Sequence, residues 1–562
     1  MSKLSLLWPE GEPARTWPIS AEVIRDLELE AVVGALCPHG PYRVLVSAIA
    51  TQLCLDADTI RYRQEVLSDL QRQPQLAAAL RALLPLLDEL ALFSHRLMGN
   101  DTRLHEVVAR ATELELLIEA VNQLQQAFSS IKAPLKSAAL LGLKQRTESI
   151  AASSDFQQLA TNLPRQLEKL RTSASITIGV NLDHSLRPEE AILLAVNDFR
   201  YSESSLLDRL LGKGAGEGKG IARLHTPPLI SEGGNLITGG LSAQGPPKRM
   251  DPLLVPLFRD LANILDQVAQ PIADELRSYA QLNSDFLLNL RSDIIFYVYS
   301  LAMIEELAQA GMPWCWPTIA PADERICQVE DAYNLQLAIR DMNQRSGPPL
   351  AAHIVKNDVK LGENGRIAIL TGPNQGGKTT YMQSVGLLQV LAQLGLPVPG
   401  TAARISPVDA IYSHYPVEEQ LDLGTGRFGD EAQRMRTIFE HVTRHSLVLL
   451  NESLATTNAG ESIFLAQDIV RVLRQIGCRV IFTTHLHDLA AAAGRINQDT
   501  AGDSKVISLV ASAQVEETDQ KDGYSYLVSE GPPLGRSYAE SIAARYGIGY
   551  GQLEALLERR GL

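Results

Sequence analysis

The residues best equipped for chemistry in this 562-residue chain lie in the run Gly372-Pro-Asn-Gln-Gly-Gly-Lys378-Thr379. The run matches G-x-x-x-x-G-K-[ST], a spacing that wraps backbone N–H groups around a phosphate. Gly372, Gly376 and Gly377 allow the tight path, with Pro373, Asn374 and Gln375 completing the loop. A helix opening at Thr379 and Thr380 adds its partial positive charge. Lys378 is placed to reach the β- and γ-phosphates of a nucleoside triphosphate, and the Thr379 hydroxyl to ligate Mg²⁺.

Two more groups belong to the same chemistry. Asn451 keeps a carbonyl oxygen that can support Mg²⁺ but lacks the charge of an aspartate, which lowers metal affinity or turnover. Glu452 beside it can polarise an attacking water, and His485 is suited to contact a γ-phosphate or that water. Between them, Leu423-Gly-Thr-Gly-Arg-Phe-Gly429 reads as a glycine-rich loop opening a helix over 430–445. Gly424, Gly426 and Gly429 could line a second anion site there, such as one for a γ-phosphate presented by another subunit. Asp430 and Glu431 weaken that reading, because carboxylates at a helix start satisfy its dipole themselves.

Each cluster follows a short aliphatic run: Ile367 to Leu370, Leu447 to Leu450, and Val480 to Thr484. Such runs are buried strands, and their alternation with helical stretches after about Asp331 predicts a parallel sheet with crossover helices. The three clusters then share the carboxyl edge of one sheet, where ligands of open α/β sheets bind.

Upstream, Thr59 to Leu170 reads as long helices. Leu104, Val107, Ala111, Leu114, Ile118, Val121, Leu124 and Phe128 form one apolar stripe of about seven turns. Ser175 to Leu182 and Ala191 to Phe199 look like strands, joined through 183–190 with a turn at Pro188. Ten of the 40 glycines fall between Gly212 and Met250, which excludes a regular element there. Lys213, Lys219, Lys248 and Arg249 make that stretch mildly basic, which suits either a solvated linker or a tip touching DNA backbone. Helical periodicity returns from Leu253 to about Ala310, and Pro313, Pro317 and Pro321 then punctuate a boundary around the packing residues Trp314 and Trp316.

The net charge of −14, from 51 basic and 65 acidic residues, excludes a protein basic over its whole surface but not a local basic patch. Five scattered cysteines without C-x-x-C spacing support neither a disulfide framework nor a zinc site. No signal peptide or run of 18 apolar residues is visible, so the expected location is the cytoplasm, with no membrane partner.

Taken together, Leu370 to Thr380, Asn451-Glu452 before a Ser/Thr/Asn-rich turn, and Thr483-Thr484-His485 resemble the ATPase domain of the MutS family, relatives of ABC-type ATPases. Gly535-Arg-Ser-Tyr-Ala539 is similar to that domain's terminus, and Thr59 to Gln64 with the helical rods resembles the family's core and lever. The resemblance implies a multidomain protein: an all-α core and lever over 1–170, and a small β-containing clamp insertion with a glycine-rich basic tip over 171–250. A helical return follows over 251–335, then an α/β P-loop ATPase domain over 336–562. It implies ATP and Mg²⁺ as ligands, and a homodimer whose composite ATP sites gate a clamp on duplex or branched DNA. Mismatch repair or a related repair or recombination process follows, with other repair proteins as further partners. Three departures stand out. None of the 11 phenylalanines has Glu two positions on, so the family's Phe-x-Glu mispair wedge is missing. Asn451 replaces an aspartate, and Phe428-Gly429 replaces a Ser-Thr pair. An ATP-switched scaffold that binds a protein partner and touches DNA little is the rival reading.

Overall fold

The structure, a computed structural model, describes residues 4–11, 14–96, 103–171, 175–185, 188–197, 202–203, 219–220, 270, 273–279, 282, 284–344, 350–416, 426–454, 459–511, 525–533 and 547–561. The chain forms two compact units, each discontinuous in sequence: one of residues 1–84, 127–144 and 289–562, the other of residues 85–126 and 145–288.

Long helices dominate the region before residue 172: α1 (Ala57–Arg72), α2 (Pro74–Arg96), α3 (Arg103–Ser129), α4 (Ala138–Ala152) and α5 (Ser154–Arg171). Helix α3 carries the stripe read from the sequence, with Val107, Ala111, Leu114, Val121 and Leu124 buried. Its apolar face is turned slightly from that reading, since Leu117 is buried and Ile118 only half-buried. A carboxylate also lies inside: Glu113 accepts hydrogen bonds from the Ser284 hydroxyl at 2.6 Å and the Arg110 guanidinium at 2.7 Å. Those donors offset the cost of burying its charge.

The second unit also holds an antiparallel ribbon of β1 (Ser175–Leu182) and β2 (Pro188–Asn197), registered from Ser175 opposite Asn197 to Leu182 opposite Pro188. Pro188 therefore opens a strand instead of sitting in the turn. The first residue of a strand tolerates proline because its missing N–H breaks no ladder bond there. Of the basic tip, Lys219 lies in a two-residue strand paired parallel with Ser202–Glu203, while Lys213, Lys248 and Arg249 lie outside the described residues.

Helix α6 (Asp285–Gln309) has the length and mean hydropathy, 1.3, of a membrane span, yet 67% of its most apolar stretch is buried inside the protein. Core helices meet that description as readily as membrane helices do.

In the first unit, a six-stranded sheet organises the site. Its strands are β3 (Ile367–Thr371), β4 (Ile411–His414), β5 (Leu447–Asn451), β6 (Arg479–Thr483), β7 (Val506–Ala511) and β8 (Val528–Glu530), in spatial order β4-β5-β6-β3-β7-β8. All neighbours are parallel except the edge pair β7–β8. Every residue of β3, β5 and β6 is buried, which explains the apolar runs Ile367 to Leu370, Leu447 to Leu450 and Val480 to Phe482 within them. Helices α7 (Lys378–Leu394), α8 (Gly426–His441) and α9 (Ala459–Ile476) are the crossovers between them.

Helix α7 is covered on almost every side, with Met382, Val385, Leu388, Val390 and Leu391 all at 2% exposure or less. Its side away from the sheet meets residues near the start of the chain. Gln383 donates to the Asp26 carbonyl at 2.9 Å, and Gln393 donates to the Cys54 carbonyl at 2.8 Å. At Gly386 the packing is close, and a Cβ would lie 2.5 Å from Leu27 Cδ2, so that side chain would have to shift to admit one. The helix that starts at the phosphate loop is thus clamped along its length.

Candidate active site

Parallel register brings the three sequence clusters together. Leu370 pairs with Thr483, and Thr483 with Asn451, so Thr371, Glu452 and Thr484 stand abreast at the sheet edge, with Gly372 the next residue out. At this edge Glu452 N donates to the Thr483 carbonyl at 2.9 Å and Thr484 N to the Leu370 carbonyl at 3.0 Å.

Gly372, with φ of 144°, packs so closely on β7 that a Cβ would lie 2.8 Å from the Ala511 carbonyl oxygen. Gly377, with φ of 85°, is the N-cap of α7. Lys378 is buried, and its Nζ donates to the carbonyls of Gly372 and Pro373 at 3.1 and 3.0 Å. The nearest carboxylate oxygen, on Glu452, is 4.0 Å away. Burial pushes the Lys378 ammonium below its ordinary pKa, and Glu452 partly restores it. A buried cation met chiefly by neutral carbonyls is electrostatically under-compensated, and a phosphate arriving in the loop would complete it.

The Thr379 hydroxyl donates to Asn451 Oδ1 at 3.1 Å, and the buried Thr483 hydroxyl donates to the same oxygen at 2.6 Å. Among the described residues no cluster of three His, Cys, Asp or Glu side chains could hold a metal ion. Thr379 and Asn451 are neutral oxygen donors. They fit a Mg²⁺ whose charge is met mainly by phosphate oxygens, the usual arrangement for this ion. Asn451→Asp should therefore lower the Mg²⁺ concentration giving half-maximal hydrolysis several-fold, with turnover equal to or above the parent's. A Mg²⁺ titration of the rate checks this, and an unchanged or higher requirement contradicts it.

Glu452 Oε1 lies 2.8 Å from His485 Nε2. That hydrogen bond, opposed by burial and aided by the charges of His485 and Lys378, holds the Glu452 carboxyl below its ordinary range. Glu452 is thus an anion at neutral pH, oriented by a ring that faces the same space.

Beside the loop is a cleft of about 470 Å³ bounded by Tyr333, Asn334, Ile354, Val355 and Tyr526, with Gln375 to Thr380 along one wall. Its apolar and aromatic walls and convergent polar groups suit a nucleoside. Asn357 fixes one wall, donating to the Tyr526 carbonyl at 3.0 Å and accepting from Val528 N at 2.7 Å. Asn334 braces α7 by donating to the Thr380 carbonyl at 3.0 Å. None of these residues carries a motif, and only their place in the fold shows their role. A larger groove of about 1240 Å³ also shares Asn357 and Tyr381, but acidic and basic side chains alternate along it without the strand-end groups.

The glycine-rich segment departs from the sequence reading. Gly426 and Gly429 both lie within helix α8 and not in a loop before it. Asp430 and Glu431 consequently fall beyond the first turn, where they no longer cap the free N–H groups. Gly424 lies outside the described residues.

The family description "MutS domain V" matches residues 368–548, and "MutS2 N-terminal domain" matches residues 55–310. The probable DNA mismatch repair protein Msh6 of Drosophila melanogaster is 32% identical over 194 residues, covering 34% of this chain and 15% of that protein. The DNA mismatch repair protein MutS of Desulforamulus reducens is 37% identical over 142 residues, covering 25% and 16%. Endonuclease MutS2 of Thermus thermophilus is 33% identical over 229 residues, covering 38% and 29%. The chain thus spans less than a third of the length of each of these relatives.

Proposed function

This chain belongs to the MutS family, and on that premise we propose that it is a Mg²⁺-dependent ATPase whose nucleotide state gates a homodimeric clamp on duplex or branched DNA. Mismatch repair or a related repair process is the setting, in the cytoplasm, with further repair proteins as partners. The observation that carries the reading is the meeting of Lys378, Thr379–Asn451 and Glu452–His485 at one sheet edge.

In this reading Lys378 exchanges its loop carbonyls for β- and γ-phosphate oxygens, and the N–H groups of Gln375 to Thr379 cradle the β-phosphate. Thr379 and Asn451 would hold Mg²⁺, which would supply positive charge against the charge developing on the phosphate oxygens. Glu452 accepts the proton of the attacking water, and His485 orients the carboxylate while facing the γ-phosphate. The amino end of α8 serves the partner subunit's nucleotide, with Gly424 and Gly426 contributing backbone N–H groups, while the N–H of Gly429, one turn in, is engaged in the helix's own bonding.

DNA binding is assigned to Lys213, Lys219, Lys248 and Arg249. The test is binding to homoduplex, mismatched duplex, four-way junction and single strand over a salt series. A clamp should weaken steeply with salt, and neutralising all four residues should shallow the slope by about 0.9 for each phosphate that is no longer neutralised. Flat salt dependence, unmoved by those substitutions, would favour the ATP-switched scaffold instead.

A further inference from the structure

Glu452 and Leu454 both have left-handed backbones, with φ of 48° and 68°. Two side-chain-bearing residues in that region within three positions make a costly turn, which persists only where neighbours over-determine it. Three contacts hold this one. Glu452 N is tied to the Thr483 carbonyl, and the Leu454 carbonyl accepts from the Ser462 hydroxyl at 2.7 Å. In the middle, Ser453 Oγ lies 2.8 Å from His414 Nδ1.

The last contact comes from outside the three motifs. His414 is fully buried at the end of β4, and Ser453 is buried against it. Burial keeps the ring neutral, pushing its pKa down to about 4, so the bond persists across the working pH range. The Ser453 hydroxyl also lies 3.4 Å from the His414 carbonyl oxygen, so ring and backbone grip the same side chain. The Glu431 backbone of α8 borders the ring as well. Strand β4 is itself anchored, because the Ser413 hydroxyl donates to Asp26 Oδ2 at 2.7 Å.

We propose that His414 and Ser453 are a positioning pair for Glu452: their hydrogen bond holds the turn that aims the carboxylate, and so governs turnover without contributing to nucleotide affinity. The proposal rests on Glu452 acting as the base. A displacement of about 1 Å in such a group costs up to about 10²-fold in rate.

The test compares the parent, Ser453→Ala, Ser453→Thr, Glu452→Gln and the Ser453→Ala/Glu452→Gln double variant. Each is assayed for steady-state hydrolysis and for equilibrium binding of a fluorescent ATP analogue, which also reports a folded site. Ser453→Ala should lower kcat by roughly tenfold or more with analogue affinity kept within a factor of about two. Ser453→Thr, which keeps the hydroxyl, should recover most of the rate. In the Glu452→Gln background the alanine should have no further effect, since no base is left to position. A parent-like kcat in Ser453→Ala, equal losses of rate and affinity, or an additive loss in the double variant would each overturn the pair while leaving the base assignment standing. A parent-like rate in Glu452→Gln would overturn both.

Discussion

Glu452→Gln is expected to lower ATP turnover by about 10²–10⁴-fold, the range set by loss of a general base. Glutamine is nearly isosteric and can still meet His485 Nε2, which lies 2.8 Å from the present carboxylate. The left-handed backbone at this position is unchanged by the substitution, so the turn should survive. What disappears is the anion proposed to accept the water's proton. Nucleotide binding should hold or tighten, because a negative charge near the γ-phosphate position has been removed. Steady-state phosphate release and equilibrium binding of a fluorescent ATP analogue check the two halves separately. Hydrolysis at the parent rate would transfer the base role elsewhere.

Lys378→Ala should act on the other half, weakening nucleotide binding by roughly 30-fold or more. Truncating one partner of a buried, hydrogen-bonded charge pair costs about 2–5 kcal/mol, which spans that figure and beyond. The side chain is 5% exposed and its Nζ contacts are two backbone carbonyls, so its removal leaves no buried anion behind. The apo fold should therefore tolerate alanine, and thermal unfolding without nucleotide should shift little. Calorimetric titration with a non-hydrolysable ATP analogue and Mg²⁺ reads the affinity directly. A variant binding as tightly as the parent would place the phosphates somewhere other than this loop.

The site's chemistry is legible in the sequence because it stands at the ends of buried parallel strands. Runs such as Leu447 to Leu450 have no polar residue until the strand exits, so Asn451 and Glu452 mark the edge by themselves. Helix α3 is legible for a similar reason, since Val107, Ala111, Leu114, Val121, Leu124 and Phe128 of its stripe are buried. The contacts that brace these elements are not. Asp26 reaches Ser413 across 387 positions, and Asn357 reaches Tyr526 across 169. Such pairings leave no local periodicity.

Other differences have local causes. A Gly-rich run reads as loop, yet glycine is tolerated at the amino end of a helix, and α8 starts within it. Composition suggests a turn at Pro188, where the fold uses its fixed φ to open β2. His414 carries a usable signal: like Asn451 and Thr483, it ends a strand of the same sheet. Its chemistry stays hidden in the sequence because β4 is short and its exit carries no known motif. The compact units likewise join segments that a residue-by-residue pass keeps apart, residues 1–84 with 289–562.

The central claim is that nucleotide at Lys378 decides whether the molecule encloses DNA. The most direct measurement is dissociation of Glu452→Gln from a duplex blocked at both ends, compared with the same duplex left open. With ATP and Mg²⁺ the variant should persist on the blocked duplex and escape from open ends, while with ADP, or in a Glu452→Gln chain also carrying Lys378→Ala, it should leave both at one rate. Equal dissociation from blocked and open duplex with ATP bound would contradict the account.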